Sequence, residues 1–332
     1  MRITQNSIIP QYETTLQNIQ NRQAQEQIQL STGKDIVNIG DDPLRLVDSK
    51  SFTNAIDLNN TYINNIQSSM SEMQTVDDQL SSMSTTVSDM LQQAVDATHT
   101  GLSTNVYNLG TDLKGMLEDL VKEANANYNG KYLFSGTQTT PGSISNNPPG
   151  TNHDPFELIT EAPTASNPSG LRVIFKGNTN DRTVQTDKSS TEVINTKATD
   201  IFGTNGEDLF KPIVDLYNVL TYNSDGSVRQ TNDTLTTGDV DKIGNLHSSI
   251  NDLYNNLTSS SATNGSKINR LQAISDQLSN QNLNLDGFRS SLEDTDVAKT
   301  SINLQQDNIA LQYSLQVGSK LMSNTLFDFL TL

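Results

Sequence analysis

The side chains of this sequence best suited to metal binding or proton transfer are its three histidines, His99, His153 and His247. A metal site or a catalytic triad needs such a ring beside further histidine or acidic partners. The three are scattered along the chain, and none has the H-x-x-x-H or H-x-x-E spacing that places two ligands on one helix face. We therefore expect neither a structural metal site nor a histidine-dependent triad.

Other motifs of catalysis and cofactor binding are missing as well. The chain has no cysteine, which excludes a disulfide, a thiol nucleophile and a thiolate metal site. It has no G-x-S-x-G motif, and Gly33-Lys34 and Gly130-Lys131 lack the upstream glycine of a phosphate-binding loop, so both are predicted turns. Asp225-Gly226 lacks the alternating acids and distal glutamate of a calcium loop. The sequence predicts no cofactor and favours a protein that is not an enzyme.

The composition favours long helices over one thick core. Of the 332 residues, 33% are hydrophobic and 5% aromatic, so each segment buries few side chains. The net charge of −17 argues against nucleic acid as a partner, and without a basic patch we expect no stable binding to an anionic membrane. No segment is apolar enough to span a bilayer, and the N-terminal residues lack the apolar core of a secretory signal peptide.

A narrow apolar seam near the N-terminus predicts the first helix. Its residues are spaced by three, four and three: Ile9, Tyr12, Leu16 and Ile19. The seam weakens where Gln23 and Glu26 take apolar positions, and Gly33 is predicted to end the helix. Asp41-Asp42-Pro43 then predicts a new helix start, since an aspartate can cap free amides and proline suits the first helical position.

The second helix is predicted from Pro43 to about Thr98, roughly 80 Å long, and it requires an equally long partner. Its seam contains Met70, Met73, Met83 and Met90, which we interpret as adaptable core packing, or alternatively as a surface that repacks between neighbouring molecules. Gly101 is predicted to break this helix. A third helix is expected to run from Val106 to Tyr128.

The middle of the chain lacks the helical periodicity of the segments on either side and is rich in proline. Six of its nine prolines lie between Pro141 and Pro168, which excludes a helix there. Short strands and one helix are predicted to follow, at Phe156–Thr160, Leu171–Lys176, Thr183–Thr186, Glu192–Asn195 and Asp208–Leu220. Helical seams then return from Val240 to about Leu326, with Ser266 a candidate cap of the last helix. A phase slip after Asp294-Thr295-Asp296 predicts a joint.

The predicted fold is mainly α with a β insert: the N- and C-terminal segments form a long antiparallel helical bundle or coiled coil, and a small β-rich domain is inserted in the middle. We expect a terminal coiled-coil assembly domain at 1–40 and 297–332, poorly ordered in the monomer because one narrow seam stabilises little alone. A helical bundle domain is expected at 41–136 and 236–296, and the β-rich domain at 137–235.

Assembly through the terminal helices is predicted to use their seam residues: Ile9, Tyr12, Leu16, Ile19, Leu304, Leu311, Leu315, Met322 and Phe327. Asparagine and glutamine recur on both helices. They are either a solvated face or uncharged hydrogen-bonding groups between subunits, and the sequence leaves both interpretations open.

Several motifs, in the same order along the chain, resemble those of bacterial flagellins and their hook–filament junction relatives. They are Leu30-Ser31-Thr32-Gly33-Lys34, Asp41-Asp42-Pro43, Asn129-Gly130-Lys131-Tyr132-Leu133-Phe134-Ser135-Gly136, Val193-Ile194-Asn195, Asp200-Ile201-Phe202-Gly203, Asn269-Arg270-Leu271 and Leu326-Phe327-Asp328-Phe329-Leu330. The insert, roughly 137–235, matches only at its exit.

This resemblance implies an extracellular structural protein of the bacterial flagellum, exported through the flagellar type III channel without a cleaved signal. It implies a homo-oligomeric ring at the hook–filament junction, contacting the other hook-associated junction protein and flagellin. A cytoplasmic export chaperone is expected on the C-terminal helix, about Ile302–Leu330. The alternatives are flagellin itself or, from another class, an adhesin or enzyme on a flagellin-like scaffold.

Overall fold

The computed structural model describes residues 5–38, 40–100, 106–144, 152–230 and 233–330, with side chains described except at 5–8, 100 and 321–330. Its helices are α1 (Gln5–Thr32), α2 (Pro43–Thr100), α3 (Val106–Ala124), α4 (Ala198–Phe202), α5 (Lys211–Thr221), α6 (Thr237–Glu293) and α7 (Val297–Leu330). Its strands are β1 (Asn127–Tyr128), β2 (Lys131–Tyr132), β3 (Phe156–Thr160), β4 (Leu171–Phe175), β5 (Thr183–Gln185) and β6 (Thr191–Val193). The predicted class, long terminal helices around a middle β-containing segment, is confirmed.

The chain forms two compact units. The first contains residues 1–60 and 279–332, and the second contains residues 61–278. Helices α2 and α6 each contribute to both units. In the first unit α1 and α7 pack along each other, and they are antiparallel because contacts at higher numbers in α1 fall at lower numbers in α7.

The second unit contains two clusters of buried hydrophobic side chains, a large one and a smaller one that includes Met73. One cluster joins side chains of α2, α3, α5 and α6 to the middle segment. Four phenylalanines pack together in this cluster: the ring of Phe156 is tilted against Phe175 and Phe210 and edge-on to Phe202, at ring-centroid distances of 4.9, 5.9 and 5.0 Å. Met73, Met83 and Met90 are fully buried, which confirms the core-packing interpretation for these three.

Within the part of the chain that the structure describes, the strands form three separate antiparallel hairpins. The β3–β4 pair begins with Phe156 opposite Phe175 and ends with Thr160 opposite Leu171. The predicted first strand is confirmed residue for residue, and the other three are each one or two residues shorter or shifted. The proline-rich stretch, predicted to contain no helix, has one 3-10 turn at Pro141–Ser143. Proline is acceptable there because it opens the turn.

Three predicted helix boundaries are wrong. The helix predicted at Asp208–Leu220 opens as a 3-10 turn, Asp208–Phe210, and α5 starts only at Lys211. Helix α3 ends at Ala124, not Tyr128, because a hairpin follows in which Asn129 and Gly130 both have positive φ, 50° and 75°. An Asn-Gly pair favours this type of tight turn. Ser266 caps no helix, since it lies inside the uninterrupted α6 and its hydroxyl donates to the carbonyl of Ala262. The predicted break at Gly101 lies outside the described residues.

Candidate assembly surface

The two units differ in where their apolar side chains lie. Among the described residues of the first unit, the buried hydrophobic side chains are Ile19 and Ile36. The exposed large hydrophobic side chains belong almost entirely to this unit, with Tyr107 and Val228 as the exceptions. A unit that buries so little and exposes so much apolar surface gains stability when further surface covers it.

Helices α1 and α7 face each other through seams of matching spacing. On α1 the covered positions recur every three or four residues, at Tyr12, Leu16, Ile19, Gln23 and Glu26. On α7 they do the same, at Leu304, Asp307, Leu311, Ser314 and Gly318. This is the periodicity of a two-stranded coiled coil, and here it joins the two ends of one chain.

A polar layer lies within this helix pair. The guanidinium of Arg22 donates two hydrogen bonds to the carboxylate of Asp307, each 2.8 Å long. Beside it the Gln23 amide donates to Asn308 Oδ1 at 3.1 Å. The hydrogen bond from Arg22 lowers the pKa of Asp307, which stays ionised although it is largely covered. Paired polar side chains of this kind fix the register of two helices.

Glu26 is the unfavourable member of the layer. Its Oε2 atom is buried and has no hydrogen-bond partner. Burial, and then the negative charge of Asp307, raise the pKa of Glu26. Ionised Glu26 therefore opposes the pairing of α1 with α7.

Four helix ends meet in the first unit, at a joint that we define as residues 33–38, 40–45 and 292–296. Lys34 Nζ donates to Glu293 Oε2 at 3.1 Å and to Asp294 Oδ1 at 2.6 Å. Arg45 Nη1 donates to Asp35 Oδ2 at 2.9 Å, and Arg45 Nη2 donates to the carbonyl of Leu292. These contacts hold the end of α1 and the start of α2 against the loop between α6 and α7.

The predicted helix end at Gly33 and the predicted helix start at Asp41-Asp42-Pro43 both lie in this joint. Gly33 follows α1 with φ +71°, the left-handed conformation expected at a helix C-terminus. Pro43 is the first residue of α2, and Asp42 Oδ1 accepts the backbone N–H of Arg45 at 3.1 Å. Asp41 accepts the amides of Val37 and Asn38. The predicted cap and the predicted break before α7 are confirmed.

The Asn129–Gly136 motif lies in the second unit and has a structural part there. The Tyr132 hydroxyl donates to Asp154 Oδ1 at 2.6 Å; burial and this bond raise the pKa of Tyr132 to about 12. Phe134 is fully buried in the core. Gly136 has φ +68°, and the Asn178 carbonyl oxygen is 2.2 Å from the position that its Cβ would take.

The structure separates the predicted assembly residues into two groups. Tyr12, Leu16, Ile19, Leu304 and Leu311 lie at the covered positions between α1 and α7. Ile9 and Leu315 are 44% and 52% exposed. The side chains of Met322 and Phe327 lie outside the described residues.

Sequence reasoning missed the polar layer. Charged residues are sparse and isolated on these two long helices: α1 has Glu13, Arg22 and Glu26, and α7 has Lys299, Asp307, Lys320 and Asp328. That isolation is the signal that predicts charge pairing, since an unpaired charge on a seam is costly.

Within the described ranges, no helix has the length and apolar character needed to cross a membrane. The same residues contain no cluster of three or more histidine, cysteine, aspartate or glutamate side chains arranged to hold a metal ion.

Two protein-family models match the two helical parts of this sequence. The family model of the bacterial flagellin N-terminal helical region matches residues 3–139, and that of the C-terminal helical region matches residues 248–330. No curated protein matches the chain significantly.

Many solved structures are similar in fold, among them the following three. A protein from Vibrio parahaemolyticus, named as a flagellar hook-associated protein, matches at 19% identity and TM-score 0.61, covering 76% of this chain and 100% of that one. Flagellar hook-associated protein-3 from Legionella pneumophila matches at 12% identity and TM-score 0.55, covering 73% and 97%. FlgL from Xanthomonas campestris matches at 13% identity and TM-score 0.53, covering 72% and 98%.

Proposed function

Since this chain belongs to the flagellin family, whose N- and C-terminal helical regions it carries, we propose that this structural protein of the bacterial flagellum forms the junction between hook and filament. The observation that carries the proposal is the contrast between the two units. The second unit has a complete core, whereas the first leaves most of its large apolar side chains uncovered. We propose that neighbouring molecules in the flagellum bury these exposed apolar side chains of the first unit.

The proposed mechanism is mechanical and involves no catalysis. Terminal helices of neighbouring copies, residues 1–40 and 297–332, continue an inner tube. The helical bundle, residues 41–136 and 236–296, forms an outer layer, and the β-rich segment, residues 137–235, projects outward. Assembly uses the two groups of seam residues described above together with Met322 and Phe327. The terminal helices are marginal in the monomer and become fully ordered on assembly.

The proposed partners follow from the same surface. Copies form a homo-oligomeric ring between the other hook-associated protein and the first flagellin subunits. Before export, a cytoplasmic chaperone covers the C-terminal helix, about Ile302–Leu330, because its apolar face would otherwise promote aggregation. The chain leaves the cell through the flagellar export channel without a cleaved signal and acts outside the cell.

The experiment that tests this function is deletion of the gene, with the wild-type gene restored as control. Bare hooks with flagellin released into the medium are expected, because filament subunits then lack a base on which to polymerise. Bare hooks with no filament protein in the medium would instead assign the chain as flagellin. Cellular copy number gives a second test, since a filament subunit is made in great excess over a junction protein.

An adhesin or enzyme on a flagellin-like scaffold is the alternative from another class. Normal filaments after deletion would overturn the junction role and direct attention to the β-rich segment. Removal of that segment with motility preserved and surface binding lost would support the alternative.

A further inference from the structure

A cavity of about 470 Å³ lies within the second unit. Three elements enclose it: the turn at 165–168 between β3 and β4, helix α5 with the turn that follows it, and the first turns of α6. Its volume is within the range of about 300–1,000 Å³ that is usual for small-molecule sites. All of its lining residues belong to the second unit, whereas the seam residues of the proposed assembly belong to the first. Assembly through the terminal helices therefore does not account for this cavity.

A buried carboxylate forms part of the cavity wall. Asp239 lines the cavity, and 8% of its side chain is exposed. Its Oδ2 atom accepts three hydrogen bonds, from Arg229 Nη2 at 2.8 Å, from the Thr236 amide at 3.0 Å and from the Thr236 hydroxyl at 2.9 Å. Its Oδ1 atom has no partner among the residues that the structure describes, and it is not sealed inside the protein.

Asp239 is held in its ionised form. Burial raises the pKa of its carboxyl group, but the hydrogen bonds from Thr236 and Arg229 outweigh burial, and the pKa is lowered overall. An ionised carboxylate oxygen accepts hydrogen bonds and donates none. The free Oδ1 atom therefore offers the cavity a strong acceptor whose position is fixed by the bonds to Oδ2.

The rest of the lining combines amide groups with apolar side chains. Amides donate and accept hydrogen bonds, and an aromatic ring covers C–H groups well. The ring of Tyr222 is held by an edge contact with Tyr217 at a centroid distance of 6.4 Å. The amide side chains are those of Asn218, Asn223 and Asn245, and the apolar ones include those of Pro168, Tyr222 and Leu246.

The charges on the lining offset one another, although the whole chain carries −17. Two lysines, Lys211 and Lys242, and two aspartates, Asp215 and Asp239, line the cavity. Lys211 pairs with Asp215, and Asp239 pairs with Arg229. A cationic ligand would meet the lysines and an anionic ligand the aspartates. This lining therefore favours a neutral ligand that carries several hydroxyl groups.

We propose that this cavity binds a neutral hexose, either as a free sugar or as the end of a glycan. A sugar hydroxyl donates to Asp239 Oδ1, and Asn223 and Asn245 bond to neighbouring hydroxyls. The ring of Tyr222 covers C–H groups of the sugar. The site gives the second unit a binding function beyond the structural role proposed for the chain, and it does not depend on that role.

Saturation-transfer NMR on the full chain tests the proposal. The probes are the methyl glycosides of glucose, galactose, mannose and N-acetylglucosamine, because a single hexose is expected to bind with a dissociation constant on the order of millimolar. Transfer to at least one of the four is expected, and binding of the charged glucosamine and glucuronate should be about tenfold weaker. No transfer to any of the four, or transfer to a charged sugar alone, would overturn the inference.

Three variants locate the binding in the cavity. Ser166→Trp fills the cavity from an exposed turn and should abolish the transfer. Asn245→Ala removes an exposed lining amide and should weaken binding about threefold or more. Asn255→Ala, an exposed position on the same helix outside the lining, is the matched control and should bind like the wild type. Unchanged binding in Ser166→Trp, or equal loss in Asn245→Ala and Asn255→Ala, would overturn the inference.

A retention assay distinguishes the two sources of the sugar. Beads carrying a neutral glycan that ends in the bound hexose should retain the wild type and not Ser166→Trp if the source is a glycan. Binding of the free glycoside without retention identifies a free sugar as the source. All of these measurements use the isolated chain, so their failure defeats this inference and leaves the proposed junction role to the gene-deletion experiment.

Discussion

Tyr12 lies directly against Gly318 in the packing of α1 on α7. A Cβ atom placed on Gly318 would be 2.2 Å from the phenolic oxygen of Tyr12 and 2.5 Å from Cζ. Gly318 is buried, so the ring occupies the space that a side chain would take. An aromatic side chain over a glycine lets two helices approach closely, and here it fixes how the two ends of the chain pair.

Gly318→Ala is predicted to weaken the pairing of α1 with α7. The overlap with Tyr12 should cost about 1–3 kcal/mol, and this exceeds the gain in helix propensity of about 1 kcal/mol. Amide hydrogen exchange in α1 measures the effect, because a marginal helix pair changes its protection with small changes in stability.

Two further variants control this prediction. Gly287→Ala in α6 has no atom within 4 Å of the added Cβ and should stabilise its helix slightly. Tyr12→Ala combined with Gly318→Ala removes the overlap, so the alanine at 318 should then be stabilising. Equal protection in Gly318→Ala and the wild type would contradict the packing.

Glu26→Gln is predicted to strengthen the helix pair at pH 7 and to have little effect at pH 4. The pKa of Glu26 is raised in the folded chain, so the folded state binds more protons and the pair is most stable below the unfolded pKa. That stability is lost as the pH rises through the folded pKa of Glu26. The effect is measured by circular dichroism, which gives the helicity of the full chain as a function of pH for the wild type and for Glu26→Gln. A gain in Glu26→Gln that is the same at both pH values would show that ionisation is not the cause.

Asp42→Ala is predicted to destabilise the start of α2 by about 1 kcal/mol, the usual cost of losing an N-terminal cap. The carboxylate of Asp42 accepts the amide of Arg45, and alanine leaves that amide without a partner. Asp48→Ala, an exposed position in the second turn of α2, removes the same charge without a cap. Faster exchange of the Arg45 amide in the first variant and not in the second is the expected result; equal exchange in both would refute the capping role.

The long helices were predictable from the sequence because their signals are local. The spacing of Tyr12, Leu16 and Ile19 predicted the covered face of α1, and Asp42-Pro43 predicted the start of α2. The seam continues through Gln23, although its residue type is polar, because Asn308 offers it a hydrogen bond.

The sequence alone does not show which element packs against each apolar helix face. Leu311 and Leu315 share one seam in the sequence pattern, yet the structure covers the first and exposes half of the second. Which of the two leucines is covered depends on contacts with α1, nearly 300 residues away in the sequence. A local sequence pattern does not contain this information. Helix α6 continues past Gly265 for a similar reason, since Asn264 donates to the backbone carbonyl of Met73 at 2.8 Å and holds the helix in place.

Three glycines of the second unit differ in backbone conformation and in the space around them, so that substituting each one distinguishes the cost of backbone strain from the cost of steric overlap. Gly136 has a positive φ and no room for a side chain, because the Asn178 carbonyl lies where its Cβ would be. Gly130 has φ +75° with nothing within 4 Å, and Gly142 has open space and no positive φ.

Alanine at these positions is predicted to give a graded series. Gly142→Ala should change the free energy of unfolding by less than about 0.5 kcal/mol, and Gly130→Ala should cost about 1 kcal/mol from strain alone. Gly136→Ala adds displacement of the Asn178 backbone and should cost about 3 kcal/mol or more. Urea unfolding followed by tyrosine fluorescence measures all three, since the chain has no tryptophan. Equal costs for Gly130→Ala and Gly136→Ala would mean that the Asn178 loop moves aside freely, and that this motif shapes the turn without anchoring the β-rich segment to the helices.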